Sequence, residues 1–203
     1  MVHQVSTPVP KRRRLPPQVR REQLLESAVL VLVERGFAGV TMDAVAGQAG
    51  VDKALVYRHF GNARAVVAEL YTRYLTRLGE RVLQAVTTSH VRDGRLRAAV
   101  SAFLDVVEEH RQVLPVLMRP EVREAIEDVE QGVQSRQFFL TLLVGSFGVP
   151  HDRADVAVEI LLGILTGGAA ACELHPDRRA VVEPMVLDAC AAALGWAPIS
   201  TSS

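Results

Sequence analysis

TMDAVAGQAGVDKALVYRHF, the stretch from residue 41 to residue 60, predicts two short helices joined by a tight turn. Thr41 and Asp52 each stand where a side-chain oxygen accepts a free backbone N–H at the start of a helix. Between them, Gly50 can take a positive φ without steric cost, and the apolar Val51 that follows turns into the core. We therefore predict helices over 42–48 and 53–60, arranged as a helix-turn-helix.

Longer helices flank this unit on both sides. Upstream, an amphipathic helix is predicted over 19–35, and Gly36 ends it as a C-terminal glycine does. Downstream, Asn62 caps a long helix that is predicted to run over about 63–87. The segment 17–64 is therefore predicted to be a compact helical head.

The rest of the chain carries apolar residues at helical spacing, without the alternation of a strand. Leu96, Val100 and Val107 form one such stripe, and Asp93 is placed to cap their helix. The remaining predicted helices span 93–111, 113–119, 121–147, 152–174 and 177–194. The chain is thus predicted to be all-α, with about nine helices: a disordered basic tail over 1–16, a three-helix head over 17–64 and a helical bundle over 65–203.

Composition favours a helical protein with a sizeable core. Hydrophobic residues make up 49% of the chain, and aromatic residues only 5%. No apolar run reaches the roughly 18–20 residues of a membrane span. The basic N-terminus is not followed by the apolar stretch of a secretory signal. We therefore expect a cytoplasmic protein that makes no use of a membrane.

Motifs of catalysis and of metal binding are missing from the sequence. Its six histidines are scattered, with no H-E-x-x-H, G-x-S-x-G or Walker loop. Cys172 and Cys190 lie among alanines in a helical pattern, which is typical of small buried residues; a redox-sensing pair is the alternative. We expect no enzymatic activity, no metal and no cofactor.

Charge is distributed unevenly, although the formal net charge is zero. Residues 1–64 hold ten Lys and Arg against five acidic residues, so this segment carries +5 and the remainder −5. A basic head on an acidic body predicts that the head alone meets a polyanion, and the helix-turn-helix indicates that this polyanion is double-stranded DNA. The run Lys11–Arg14 is either an arm that lies along the DNA or a solvated tail.

The helix over 53–60 supplies most of the candidate DNA contacts, because the second helix of such a unit enters the major groove. The candidates are Thr41, Lys53, Ala54, Leu55, Tyr57, Arg58 and His59. Lys53 can donate to guanine or to a phosphate, and Ala54 and Leu55 can meet a thymine methyl. Thr41 opens a helix N-terminus suited to a phosphate, although it is equally a plain cap. Tyr57 either bonds a phosphate or packs against the first helix.

The head resembles the DNA-binding signature of the tetracycline-repressor (TetR) family over about residues 20–67. The matching residues are Gly36-Phe37, Thr41 to Ala46, Ala49 to Val51 and Leu55 to Phe60. The resemblance implies a homodimeric repressor that binds a palindromic operator and is released by a small-molecule effector. It also implies a C-terminal domain that both dimerises and binds the effector.

Two positions depart from the family pattern. The family often has Ser-Lys-Glu after the final Phe of the motif, with the Lys on a phosphate, whereas this chain has Asn62-Ala63-Arg64. Arg64 is therefore the candidate substitute for that phosphate contact. Ala54-Leu55 stands where Gly-Thr is common, so the base preference is expected to differ.

The body should supply an effector cavity and a dimer interface. Apolar candidates to line the cavity, all equally explicable as core, are Phe103, Val107, Leu114, Leu117, Met118, Phe138, Phe139 and Leu142. Small residues that let helices approach closely crowd the last two helices, namely Gly163, Gly167, Ala170, Ala171, Ala189 and Ala192. In the family arrangement they form the interface; a close-packed monomer core is the alternative. The identity of the effector is not predicted.

Three other functions are alternatives to a repressor that a ligand releases from DNA. Catalysis has no motif in its favour. An architectural DNA-binding protein without a ligand would not need so long a body. Activation of transcription, in place of repression, is compatible with the same sequence.

Overall fold

The computed structural model describes residues 15–127 and 130–197, with the backbone alone for 130–136. The run Lys11–Arg14, and the predicted tail as far as residue 14, lie outside the described residues. Within the described part, the chain is all-α and has no strand. Its helices are α1 (Pro17–Arg35), α2 (Met42–Ala49), α3 (Lys53–Phe60), α4 (Ala63–Thr87), α5 (Arg92–Glu109), α6 (Leu114–Leu117), α7 (Pro120–Ile126), α8 (Glu130–Phe147), α9 (His151–Leu174) and α10 (Arg179–Ala193).

The helix-turn-helix forms as its local sequence predicts. The Thr41 hydroxyl accepts the backbone N–H of Ala44 at 3.1 Å, and the Asp52 carboxylate accepts that of Ala54 at 2.7 Å. Gly50 ends α2 with a φ of 63°, the left-handed conformation that the turn requires. The caps predicted at both N-termini are confirmed, and they fix where α2 and α3 begin.

Helix α4 belongs to both the head and the body. The Asn62 side chain accepts the backbone N–H of Ala65 at 2.9 Å, which confirms the predicted cap, and the helix continues for 25 residues. Near its start, Val66 and Leu70 are buried, and near its end Leu78 and Val82 are buried. The helix packs on α1 and α3 and also on α5, α7 and α8. One continuous helix, α4, therefore connects the head and the body.

The body differs from the sequence prediction in two places. The single helix predicted over 121–147 is two helices, α7 and α8. Val122 and Ile126 of α7 are buried against α4 and α6, whereas α8 packs mainly on α4 and α9. Asp93 does not cap α5, because Val91 holds the N-cap position and Asp93 lies in the first turn. The division into α7 and α8 explains why ten α-helices are described where about nine were predicted.

No apolar run of α9 reaches the 18 residues of a membrane span, because Asp155, Glu159 and Glu173 divide its sequence, but its average composition is that of one. Among the described residues, this one helix is long and apolar enough by length and composition. Only 17% of its most apolar window is buried within the chain, so much apolar surface is left open.

A candidate DNA-binding surface and a candidate effector cavity

Helix α3 has an inner and an outer face. Val56 is fully buried, and Phe60 is nearly so. Lys53, Ala54 and Arg58 are exposed, as is Tyr57 at 45% of its surface, and Leu55 and His59 are half-buried. The side chains predicted to read DNA therefore lie together on the side of α3 that faces away from the core, with Leu55 partly covered.

Lys53 is held by an acidic residue of the preceding helix. Its Nζ lies 2.6 Å from the Asp43 carboxylate. The hydrogen bond to Asp43 raises the pKa of Lys53 above its ordinary value, more than the small desolvation lowers it. Lys53 also lies 5.7 Å from the centre of the Tyr57 ring. A base or phosphate that binds Lys53, as predicted from the sequence, would therefore have to replace Asp43. Sequence reasoning did not identify this role of Asp43, whose only signal is its place in the first turn of α2.

Arg21 fastens α3 to the rest of the head. Its guanidinium donates to the backbone carbonyl of His59 and forms an ion pair with Glu69 of α4. The same group lies 4.3 Å from the centre of the Phe60 ring. Burial, and then the nearby arginines, lower the pKa of His59, so this imidazole is neutral at neutral pH. From the sequence, Arg21 is one of the ten basic residues of the segment 1–64; in the fold its contacts hold the end of α3.

Arg64 reaches the body of the protein. Its Nε donates to the backbone carbonyl of Ala125 in α7 at 2.7 Å. The phosphate contact that the family resemblance implies for Arg64 stays a prediction. What the geometry adds is a direct hydrogen bond between the start of α4, beside the DNA-binding unit, and a helix of the body.

An apolar cavity of about 80 Å³ lies within the body. Three of the predicted lining residues, Phe103, Phe139 and Leu142, contribute to its wall. Cys190 lines it too, and burial raises the pKa of its thiol to about 12. Burial also raises the pKa of Cys172. Both thiols are therefore protonated at neutral pH, which favours the apolar role over a reactive one.

A larger cavity of about 420 Å³ adjoins the first, and Phe139, Val158 and Leu162 line both. Its wall also carries Tyr71 and Arg123, as well as Glu159, which forms an ion pair with Arg123. This volume lies within the range of small-molecule sites. The polar lining residues were not predicted, because their positions on three separate helices become neighbours only in the fold.

The other predicted lining residues have different surroundings. Met118 lines a third cavity, of about 110 Å³, which also touches Tyr71 and Arg123. Phe138 packs against Gly79 of α4, where a Cβ would overlap its ring. The remaining three, Val107, Leu114 and Leu117, are buried in the core, and neither they nor Phe138 line these three cavities.

Two apolar stripes run along the outside of α9 and α10. On α9, Ile160 is 49% exposed, and Val156, Gly163, Gly167 and Ala170 are exposed at helical spacing along the same side. On α10, the exposed residues include Val181, Met185 at 67% and Ala192, with the half-buried Ala189 between them. Ala171 is half-buried, and Gly168 packs within the chain against Val186. Most of the small residues predicted for dimerisation therefore lie on an uncovered surface.

Comparison with known proteins agrees with this architecture. The family model described as bacterial regulatory proteins of the tetR family matches residues 24–70, which include α2 and α3. The transcriptional activator FasR of Mycolicibacterium smegmatis is 40% identical over 99 residues, which cover 49% of this chain and 45% of that protein. The chain thus matches less than half the length of this relative.

Two further similarities extend over most of the chain. The transcriptional repressor KstR2 of Mycobacterium tuberculosis is 26% identical over 149 residues, 70% of this chain and 74% of that protein. A TetR-like transcriptional regulator from Rhodococcus sp. RHA1 superposes with a TM-score of 0.66 at 25% identity, covering 90% of this chain and 99% of that structure. Residues 24–70 thus match the DNA-binding domain of the bacterial tetR family, and the fold of the chain is that of a TetR-like transcriptional regulator.

Proposed function

We propose that this regulator binds a palindromic operator as a homodimer and releases it when a small molecule enters the body. The observation that supports this proposal is that α4 extends from the DNA-binding unit to the wall of the larger cavity. This helix begins beside the DNA-binding unit and supplies Tyr71 to the wall of the 420 Å³ cavity. A ligand that favours one position of α4 would change the position of the head. We place the boundary between head and body near residue 64, at the start of α4.

The dimer is supported by the uncovered stripes on α9 and α10. Exposed apolar patches of this kind mark association surfaces in soluble proteins. Their small residues permit close helix contact, and Val156, Ile160, Val181 and Met185 add exposed larger apolar side chains. Pairing of the two stripes with those of a second copy would form a symmetric interface and account for the apolar character of α9 without a membrane. Such a regulator would act in the cytoplasm, with the DNA.

The DNA-binding roles follow from the outer face of α3. We assign Lys53 and Arg58 to bases or phosphates, Ala54 and Leu55 to thymine methyl groups, and Tyr57 to a phosphate. The His59 ring and the N-terminus at Thr41 are assigned to the DNA backbone. Two copies of this surface, related by the dimer axis, would read two half-sites.

Repression is the proposed sign of regulation, as in the relative KstR2. The alternative is activation, because FasR is named an activator and shares 40% identity over its matched segment. A DNA-binding protein of the same fold that responds to no ligand is a further alternative. The cavities count against that last possibility.

The first experiment is selection of bound sequences from random DNA with the full chain, followed by sizing of the complex. We expect a palindromic motif bound by an even number of chains. The matched control is the double variant Lys53→Ala, Arg58→Ala, which keeps the buried face of α3 and should enrich no motif. If the unsubstituted chain enriches nothing, even after unfolding, removal of any bound ligand and refolding, the proposal fails.

The sign of regulation is measured separately. The selected sequence is placed upstream of a reporter gene, and expression is compared with and without the regulator. A repressor lowers the signal and an activator raises it. Compounds bound by the body are then added to the same assay, where release of the operator would reverse the effect.

A further inference from the structure

The chemistry of the larger cavity restricts the class of effector. Arg123 and Glu159 meet in its wall, with Arg123 Nη1 and a Glu159 carboxylate oxygen 2.8 Å apart. Tyr71 lies in the same wall and is buried, and this burial raises the pKa of its hydroxyl above the ordinary value. The Tyr71 hydroxyl is therefore uncharged at neutral pH and can donate a hydrogen bond.

One donor in this wall has no acceptor. The Nε of Arg123 is buried and forms no hydrogen bond with the described residues. A buried donor without a partner is rare in folded proteins, because burial removes the water that would otherwise satisfy it. A bound molecule that places an acceptor oxygen at Nε would remove this penalty.

The charge balance decides which kind of acceptor fits. Glu159 already neutralises Arg123, and Glu124 and Glu127 also line the cavity as exposed residues. The described lining thus holds three carboxylates and one guanidinium. A carboxylate or phosphate that entered would be repelled by these acidic groups and would find no cation without a counterion in this lining. An uncharged carbonyl oxygen avoids this repulsion and still accepts from Nε.

The lining of the adjoining 80 Å³ cavity restricts the chemistry of the other end of the bound ligand. It is lined by aliphatic and aromatic side chains such as Val100, Phe103 and Leu161. Phe139, Val158 and Leu162 lie between the two cavities. A molecule that occupies both needs an apolar portion attached to a polar group.

We propose that the effector is an uncharged amphiphile, with an apolar chain or ring system and a ketone, ester or amide carbonyl that accepts from Arg123 Nε. Carboxylate and phosphate analogues are selected against by the acidic lining. The inference rests on the proposed function, in which this cavity is the effector site.

The test compares octanamide with octanoate, which share an apolar chain and differ in whether the head group carries a charge. Binding to the full chain is measured at pH 7.5 by titration calorimetry. Fluorescence of Trp196, the one tryptophan of the chain, provides a second signal, because its ring centre lies 6.2 Å from that of the cavity residue Phe147. We expect octanamide to bind at least about tenfold more tightly than octanoate.

Two variants connect the preference to the named residues. Glu159→Gln removes the counterion of Arg123, so the preference should shift toward octanoate by about tenfold or more. Arg123→Met should remove most of the affinity for octanamide. The matched control is Glu121→Gln, an exposed change on the same helix that should alter neither dissociation constant. Thermal melting of each variant identifies any that has lost its fold, and Glu159→Gln then decides alone.

The inference is overturned if octanoate binds as tightly as octanamide, if neither binds at millimolar concentration, or if Glu159→Gln leaves the preference unchanged. Failure of the proposed function has a different signature. In that case octanamide binds with the expected preference, yet operator affinity at saturating octanamide is unchanged.

Discussion

The side chain of Arg64 and the backbone of Ala125 form a hydrogen bond of 2.7 Å between the start of α4 and the end of α7. Ala125 lies two residues from Arg123, which lines the candidate effector cavity. A ligand that moves α7 therefore acts at a short distance from the base of the DNA-binding unit. The contact offers a physical route between the two sites that does not require α4 to bend.

Replacing Arg64 with Ala should weaken the communication between cavity and operator. We expect the factor by which a cavity ligand changes operator affinity to fall about fivefold, since coupling energies of allosteric proteins are small. The measurement is operator binding by fluorescence anisotropy, with and without the ligand. Arg77→Ala, an exposed change on the same helix, is the control. An unchanged factor in Arg64→Ala would show that the hydrogen bond does not transmit the signal.

The ion pair between Lys53 and Asp43 predicts opposite effects of two substitutions. Asp43→Asn should tighten operator binding several-fold, because it frees Lys53 and removes a negative charge near the phosphates. Lys53→Ala should weaken binding by about tenfold or more and relax specificity at one operator position if Lys53 reads a base. If Lys53 contacts a phosphate instead, Lys53→Ala should reduce the slope of log operator affinity against log salt concentration by about one.

The double variant separates competition from simple charge. If Asp43 acts by holding Lys53, then Asp43→Asn should have a smaller effect in the Lys53→Ala background. Equal effects in both backgrounds would mean that Asp43 acts only as a charge near the DNA.

The stripes on α9 and α10 predict that dimerisation is sensitive to buried charge. Ile160→Glu or Met185→Glu would place an unpaired carboxylate inside the interface, so we expect monomers by sizing with light scattering. Leu83→Glu is the matched control, because Leu83 is an exposed apolar residue of α4 outside both stripes. Dimers that persist in both stripe variants would place the interface elsewhere.

The thiol of Cys190 should resist alkylation in the native protein. Burial raises its pKa to about 12, so almost no thiolate is present at pH 8.5, whereas the unfolded chain has an ordinary thiol. Labelling with iodoacetamide, read by mass spectrometry, should be slow until urea is added. Rapid native labelling would contradict this assignment of Cys190.

The raised pKa of Cys190 also has a consequence for the stability of the protein at high pH. Below about pH 9, both the folded and the unfolded states keep the proton of Cys190, so this thiol adds no pH dependence. Between about pH 9 and pH 12 only the unfolded state loses it, so the free energy of unfolding falls as pH rises. The Cys190→Ala variant should show a smaller fall over this interval.

Removal of residues 1–16 tests the basic run Lys11–Arg14. If this run lies along the DNA, the truncated chain should show a flatter dependence of operator affinity on salt, because fewer counterions are released. The slope is obtained from binding measured over a range of salt concentrations. An identical slope would mean that the run makes no contact with DNA.

The helices of the head could be predicted almost to the residue because their limits are local. Thr41, Asp52 and Asn62 each cap a helix through a bond to a backbone N–H two or three residues away. Such contacts depend on short sequence patterns alone. The predicted break at Gly50 is local for the same reason.

The pairs that give the sites their chemistry could not be predicted in this way. Arg123 and Glu159 are 36 positions apart and meet only because α7 and α9 contribute to one cavity. The division of the helix predicted over 121–147 into α7 and α8 has a similar origin, since each part packs against different neighbours. Tertiary packing therefore decides the polar lining, and local propensity does not.

The length of α4 converts small displacements into large ones. A helix of 25 residues is about 37 Å long at 1.5 Å per residue. Treated as a rigid lever, it turns a tilt of about 5° into a displacement of roughly 3 Å at the far end, an arc that follows from that length. Hydrogen bonds to bases are lost over about this distance. Under the proposed function, an effector would therefore not need to remodel the body, because a tilt of a few degrees at the cavity would be enough to move the exposed face of α3 away from the bases of the operator.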